Sequence, residues 1–181
     1  RGRELLGERL AADAMQLRPF ITNIAESGVE RVPGTAVFMT PDPESVPHAL
    51  LHSLKHYKAL HEQVVILSVK VFDVPFVPEL DRVEVHRLSG NFAQVVVQYG
   101  FKDEPDIPAA LTLCAEAGLT LDMMDTSFFL GRETLIPKLG SSMAYWRALI
   151  FVAMFRNAGS ATAFFKIPSN RVVELGSQVV H

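Results

Sequence analysis

Val64-Val-Ile-Leu-Ser-Val-Lys-Val-Phe72 is a nearly unbroken run of β-branched and apolar residues. A strand apolar on both faces, with no alternation, belongs inside a sheet covered on both sides, the usual setting of parallel strands. Upstream, Thr35 to Thr40 has the same apolar centre and is stopped by Pro41 and Pro43. A helical pattern lies between the two runs. Ser45 is placed to cap it, Pro47 suits its first turn, and Leu50, Leu54, Tyr57 and His61 share one side, so the helix is expected to reach about His61. Two such strands joined by a helix make a right-handed parallel crossover the natural topology. The sheet therefore starts as a βαβ unit.

Working outward, Leu5, Leu6, Leu10 and Ala14 recur at helical spacing, which reads as an amphipathic helix or leader over Arg1 to Leu17. Pro19 can start a second short helix, with Phe20, Ile21 and Ile24 on one side and Gly28 ending it. After Phe72, the prolines Pro75 and Pro78 make Asp73 to Asp81 a loop or edge segment. Arg82 to Leu88 and Phe92 to Phe101 alternate and are joined by Ser89-Gly90-Asn91, an antiparallel hairpin. Pro105-Asp106-Ile107-Pro108 introduces a helix with Leu111, Leu113, Cys114 and Ala117 that ends at Gly118, and Leu119 to Met124 can start a strand. Thr126 to Leu130 is a further buried strand, after which Gly131 permits a sharp change of direction before the adjacent charges of Arg132 and Glu133. Ser141 or Ser142 can cap a long helix to Phe155 or Asn157, a short helix ends near Phe165, and Arg171 to Val180 is extended. The expected fold is α/β with some α+β character: a central mixed sheet of about five or six strands, a βαβ start, a middle hairpin and packed helices.

A chain of 181 residues with 49% hydrophobic and 20% charged residues fits one domain with a real core. The formal charge of -3 and the lack of any long Lys/Arg run argue against nucleic acid as a partner. Cys114 is the only cysteine, so no intrachain disulfide forms, which suits a reducing compartment. The most apolar run, Ala148 to Phe155, is far short of the roughly 20 residues that cross a bilayer. No signal peptide opens the chain, and a first residue of Arg1 instead of Met is what an excised fragment would show.

Phosphate-loop, nucleophile-elbow and dinucleotide fingerprints are all missing from the sequence. His61-Glu62 begins like a zinc-protease helix, but Val65 stands where the second imidazole belongs. His48, His52 and His56 line up opposite the leucines, where two neighbours could hold a metal ion, although a polar helix face is the commoner explanation. Cys114 lies in an apolar pattern without a cationic neighbour, which makes it a structural thiol before a nucleophile. Met143 to Phe155 reads as a core-packing face ahead of a membrane-facing one. Arg132 and Glu133 are the candidate ligand-binding or regulatory residues, because ligands of α/β sheets bind beyond strand carboxyl ends. The competing reading is an ion pair that fixes a turn. No cofactor or metal is assigned.

Three stretches taken together, Arg31-Val-Pro-Gly-Thr-Ala-Val-Phe-Met-Thr40, Thr126-Ser-Phe-Phe-Leu-Gly-Arg-Glu-Thr-Leu-Ile-Pro137 and Asn170-Arg-Val-Val-Glu-Leu-Gly176, resemble the C-terminal cytosolic domain of the Kup family of bacterial potassium uptake transporters. The segment Leu50 to Glu62 adds to the likeness, which runs over nearly the whole chain.

That resemblance implies the tail of a multi-pass inner-membrane protein that takes up potassium, with proton coupling, through membrane helices outside this chain. It implies residues 1–30 as a helical leader after that membrane domain and residues 31–181 as a single cytosolic domain. Regulation or assembly is then the expected role, with the protein's own transmembrane domain, a second copy in a homodimer and a small regulatory nucleotide as partners. A free-standing nucleotide-binding module of the universal-stress type is the alternative from the βαβ start. A small enzyme built on His61, Glu133 or Cys114 is the third reading.

Overall fold

The computed structural model describes residues 15–136 and 161–180, with the side chains of 132–136 and 177–180 outside that description. The leader before Met15 and the long helix expected from Ser141 or Ser142 onward, including the apolar Met143 to Phe155, lie outside the described residues. Among the described residues the order is α1 (Leu17–Glu26), β1 (Glu30–Met39), α2 (His48–Tyr57), β2 (Ala59–Phe72), β3 (Val83–Arg87), β4 (Phe92–Gly100), α3 (Ile107–Leu113), β5 (Thr126–Ile136), α4 (Ala161–Phe164) and β6 (Val172–Val180).

The strands form one six-stranded sheet in the order β3-β4-β2-β1-β5-β6. All neighbours run parallel except the β3-β4 hairpin at one edge. This is the mixed α/β sheet the sequence implied, with the βαβ unit at its centre. From β1 the parallel strands step outward through β2 and β4 on one side, with β3 folded back onto the edge, and through β5 and β6 on the other. The sheet is therefore doubly wound and its order reverses between β1 and β5.

Each face has its own core. On one, α1 and α2 bury Leu17, Phe20, Ile21 and Leu50 against Phe38, Ile66 and Phe129. On the other, α3 and the 3₁₀ turn after it bury Ile107, Leu111 and Cys114 against Val65, Val97 and Phe128. The central strands are sealed on both sides, which is why Val64 to Ser68 is buried at every position. Strand β4 is likewise buried nearly throughout, although its sequence reads as alternating.

Several boundaries differ from the sequence reading for local reasons. The helix α2 stops at Tyr57, not near His61, because Lys58 adopts a left-handed conformation at φ 54° and its N–H closes on Leu54 O. His61 therefore lies in β2, paired with Val32, and Tyr57 is exposed. Ser45 does not cap α2, whose N-cap is Pro47; the Ser45 backbone instead bridges to Gln16. Strand β1 begins at Glu30, ahead of the expected Thr35, and absorbs Pro33 in a register shift between Val32 and Thr35. Gly34 makes that bulge fit: its φ is +97°, and a Cβ there would lie 2.9 Å from the Asp125 carbonyl oxygen. Leu119 to Met124 forms no strand; Met123–Asp125 is a 3₁₀ turn, with the Asp122 carboxylate accepting from the Met124 N–H.

The largest revision concerns the end of β5. No turn follows Leu130: the strand continues through Ile136, with Gly131 opposite Leu175, Arg132 opposite Gly176 and Glu133 opposite Ser177. Parallel pairing with β6 supplies the backbone hydrogen bonds that would otherwise be lost beyond the end of β1.

Candidate functional site

The strand order reverses between β1 and β5, and it is at the carboxyl rim of such reversals that doubly wound sheets place ligands. The helix α2 starts at this rim because the loop from Thr40 to Pro47 returns the chain over the α1/α2 face. Two bonds stiffen that loop: Asp42 Oδ1 accepts the Glu44 N–H at 3.0 Å, and Gln94 Nε2 donates to Pro43 O at 2.6 Å. Helical spacing then sets His48, His52 and Lys55 along one side of α2. Facing them is the middle of β5 and β6, around Gly131 and Gly176.

The result is a cleft of about 220 Å³ lined by His48, His52, Lys55, Gly131, Leu175 and Gly176. A Cβ at Gly131 or Gly176 would meet nothing within 4 Å, so the two glycines leave open floor beneath the polar side chains. One ammonium and two imidazoles, with no carboxylate among the described lining residues, form a donor set suited to an anion. The rings of His52 and His56 lie 4.3 Å apart, and no group of His, Cys, Asp and Glu among the described residues converges as a metal site.

Of the residues singled out from sequence, Arg132 and Glu133 follow directly on Gly131 of this cleft, in extended backbone. The turn that an Arg132–Glu133 ion pair was to fix is absent. His61 and Cys114 belong to opposite faces. His61 sits edge-on to Phe129 at 5.8 Å, whereas Cys114 is fully buried with α3, its Sγ 3.9 Å from Ala110 O. Burial pushes the Cys114 thiol up to about 11, which keeps it protonated and unreactive at neutral pH. Lys55 was passed over in the sequence reading; only its facing Gly131 and Gly176 in β5 and β6 distinguishes it from other helix lysines.

Burial also lowers the pKa of His61 below its ordinary value, against an opposing pull from Asp125. The folded state therefore favours the neutral ring, and below about pH 6.5 the unfolded chain binds the proton more readily. Unfolding free energy should fall as pH drops from about 6.5 toward the lowered folded pKa. Urea titrations of wild type and His61→Gln across this window check it; equal pH slopes for the two proteins would rule out His61 as the source.

A second cleft, of about 570 Å³, opens at the same rim on the far side of the sheet order, where Phe72, Val74, Phe76 and Leu80 surround a groove after β2. The sequence reading made Asp73 to Asp81 a loop or edge segment and assigned it no groove. Its alternating Phe72, Val74 and Phe76 were the available signal, masked by the interspersed prolines.

Residues 33–180 match the family described as K+ potassium transporter C-terminal domain. The chain is 84% identical over 180 residues to a probable potassium transport system protein, Kup 3, of Dechloromonas aromatica, covering 99% of this chain and 29% of that protein. It is 64% identical to Kup 1 of the same organism over the same shares, and 59% identical to the Kup protein of an Azoarcus species, covering 99% of this chain and 28% of that protein. The chain thus spans less than a third of the length of these curated relatives. No solved structure matches it.

Proposed function

This chain belongs to the K+ potassium transporter C-terminal domain family, and from that premise we propose that it is the cytosolic tail of a multi-pass potassium uptake protein. The relatives' names support potassium as the transported ion; under this proposal it passes through membrane helices outside this chain, coupled to protons. In this reading residues 1–30 lead from the membrane portion and residues 31–181 form one cytosolic domain. Its role is regulation or assembly rather than catalysis. The observation that carries the regulatory reading is the cleft of His48, His52 and Lys55 over Gly131 and Gly176, beside the reversal of strand order.

The ligand that fits is a small anion of the nucleotide class, with Arg132 and Glu133 as contact residues at the cleft's edge and a second copy of the domain as a homodimer partner. A ligand that prefers one state of the transporter shifts its equilibrium by the difference in affinity. The doubly wound strand order also suits the alternative of a universal-stress-like nucleotide module, and both readings place the ligand at the same rim.

Potassium uptake by cells lacking their own uptake systems, expressing the parent protein with and without residues 31–181, tests the role. Regulation predicts normal membrane insertion with an altered rate or response; unchanged uptake at equal expression leaves assembly or stability. A thermal-shift screen with adenine nucleotides tests the ligand, since saturation at about 100 times Kd adds about 2.7 kcal/mol. Arg132→Gln should weaken that shift while leaving the ligand-free Tm nearly unchanged. A large fall in the ligand-free Tm would instead make Arg132 structural.

A further inference from the structure

Beyond the end of β1, strands β2 and β4 continue as a pair on their side of the sheet: Met39 pairs with Leu67, while β2 runs on to Phe72 opposite Gly100. At this projecting tip Phe72, Val74, Phe76 and Leu80 stand around the larger groove, with Leu80 90% and Phe76 62% exposed. The loop that carries them is firmly built. Phe101 N–H donates to Val74 O at 2.8 Å and Lys102 N–H to Pro75 O at 2.9 Å. The Asp103 carboxylate accepts the N–H groups of Val77 at 2.9 Å and Gly100 at 2.7 Å, and pairs with Arg82 at 3.1 Å. These bonds hold several large apolar side chains in water on an ordered frame, the pattern of an interaction surface. Asp81 and Glu84 line the groove, and Asp73 and Glu79 lie on the same loop, so its margin is acidic.

The chain reaches the domain at this same end and on this same face. Leu17 N–H donates to Glu44 O, and Val46 N–H to Met15 O, both in the loop that follows β1, so α1 begins at the carboxyl rim and descends from it. The matched family is a C-terminal domain, and more than two thirds of each relative's length lies outside the match. We propose that the Phe72–Leu80 groove docks a cytosolic loop of the protein's own membrane portion, an apolar segment flanked by Lys and Arg. Cytoplasmic flanks of membrane helices carry an excess of those residues, which complements the acidic margin. The same margin disfavours an anionic bilayer surface. The inference rests on the transporter-tail reading. It sets the carboxyl rim toward the membrane, so the anion cleft opens on the side that faces the transport machinery.

The test uses the full-length parent protein in native membranes with a photoreactive phenylalanine analogue in place of Leu80, and the same analogue in place of Glu116, an exposed residue on the α3 face. Docking predicts crosslinks from position 80 to a Lys/Arg-flanked loop of the same polypeptide, at least fivefold above those from position 116. Crosslinks from position 80 mainly to lipid, to residues 1–14 or to a second copy overturn it, as does equal yield from the two positions. A second variant, Phe76→Glu, should reduce the position 80 crosslink severalfold while leaving the Tm of the detergent-purified protein within about a degree; retention of the crosslink overturns the proposal. The two readings fail separately. Uptake unaffected by removal of residues 31–181 counts against the regulatory reading, whereas altered uptake without the position 80 crosslink removes only the docking surface.

Discussion

Phe38→Ala should lower the unfolding free energy by about 3–5 kcal/mol, the range for emptying a large aromatic site in a core. Phe38 is 1% exposed near the carboxyl end of β1, and its ring stacks on Phe129 with centroids 4.6 Å apart and planes 21° from parallel. It also joins α1 and α2 to the sheet through the cluster containing Phe20, Ile21 and Leu50. The site cannot collapse easily, because β1 is held by parallel ladders to β2 on one side and β5 on the other. Residual cavity therefore adds to the lost transfer energy. Urea unfolding of the 181-residue chain measures it, with Phe76→Ala as the exposed control. A loss below about 1 kcal/mol for Phe38→Ala would mean that α1 and α2 do not seal this face.

Gly100→Ala should cost about 3 kcal/mol, the upper end of the usual overpacking range. The reason is a close backbone approach and not a left-handed φ: a Cβ at Gly100 would lie 2.5 Å from both the Val74 and Pro75 carbonyl oxygens. Those atoms belong to main chain, so relief requires the loop to move. Moving it strains the bonds from Phe101 and Lys102 and the Asp103 caps on Val77 and Gly100. The Phe72–Leu80 groove should lose its shape along with the stability. Gly131→Ala, where a Cβ meets nothing within 4 Å, is the comparison and should change stability little. Equal melting temperatures for Gly100→Ala and Gly131→Ala would refute the steric argument. Amide exchange at Phe101 and Lys102 locates the damage, which should appear there before it appears in β1.

The candidate site was only half visible in advance. His48, His52 and His56 were recognisable as one polar helix face, and Arg132 and Glu133 as charges next to a core strand. What joins the first group to the second is the register of β5 with β6, which sets Gly131 and Gly176 across from α2. His61 was misplaced because apolar spacing continues past Tyr57, and no glycine or proline marks the stop at Lys58. The turn expected at Gly131 failed for the opposite reason. A glycine permits a bend, but pairing partners decided that the strand goes on.

By itself, the sequence determined the class of the fold, the βαβ start, the β3-β4 hairpin and the family likeness carried by Arg31–Thr40, Thr126–Pro137 and Asn170–Gly176. These are properties of local periodicity, turn chemistry and short motifs, each written within a few residues of itself. Only the tertiary structure decided that β1 lies between β2 and β5, that the Gly131 backbone continues as strand, and that α1, the anion cleft and the Phe72–Leu80 groove share one rim. Strands buried on both faces carry no alternation that names their neighbours. Their order is set by which long-range ladders and helix faces can be satisfied together, a condition no single stretch of the chain contains.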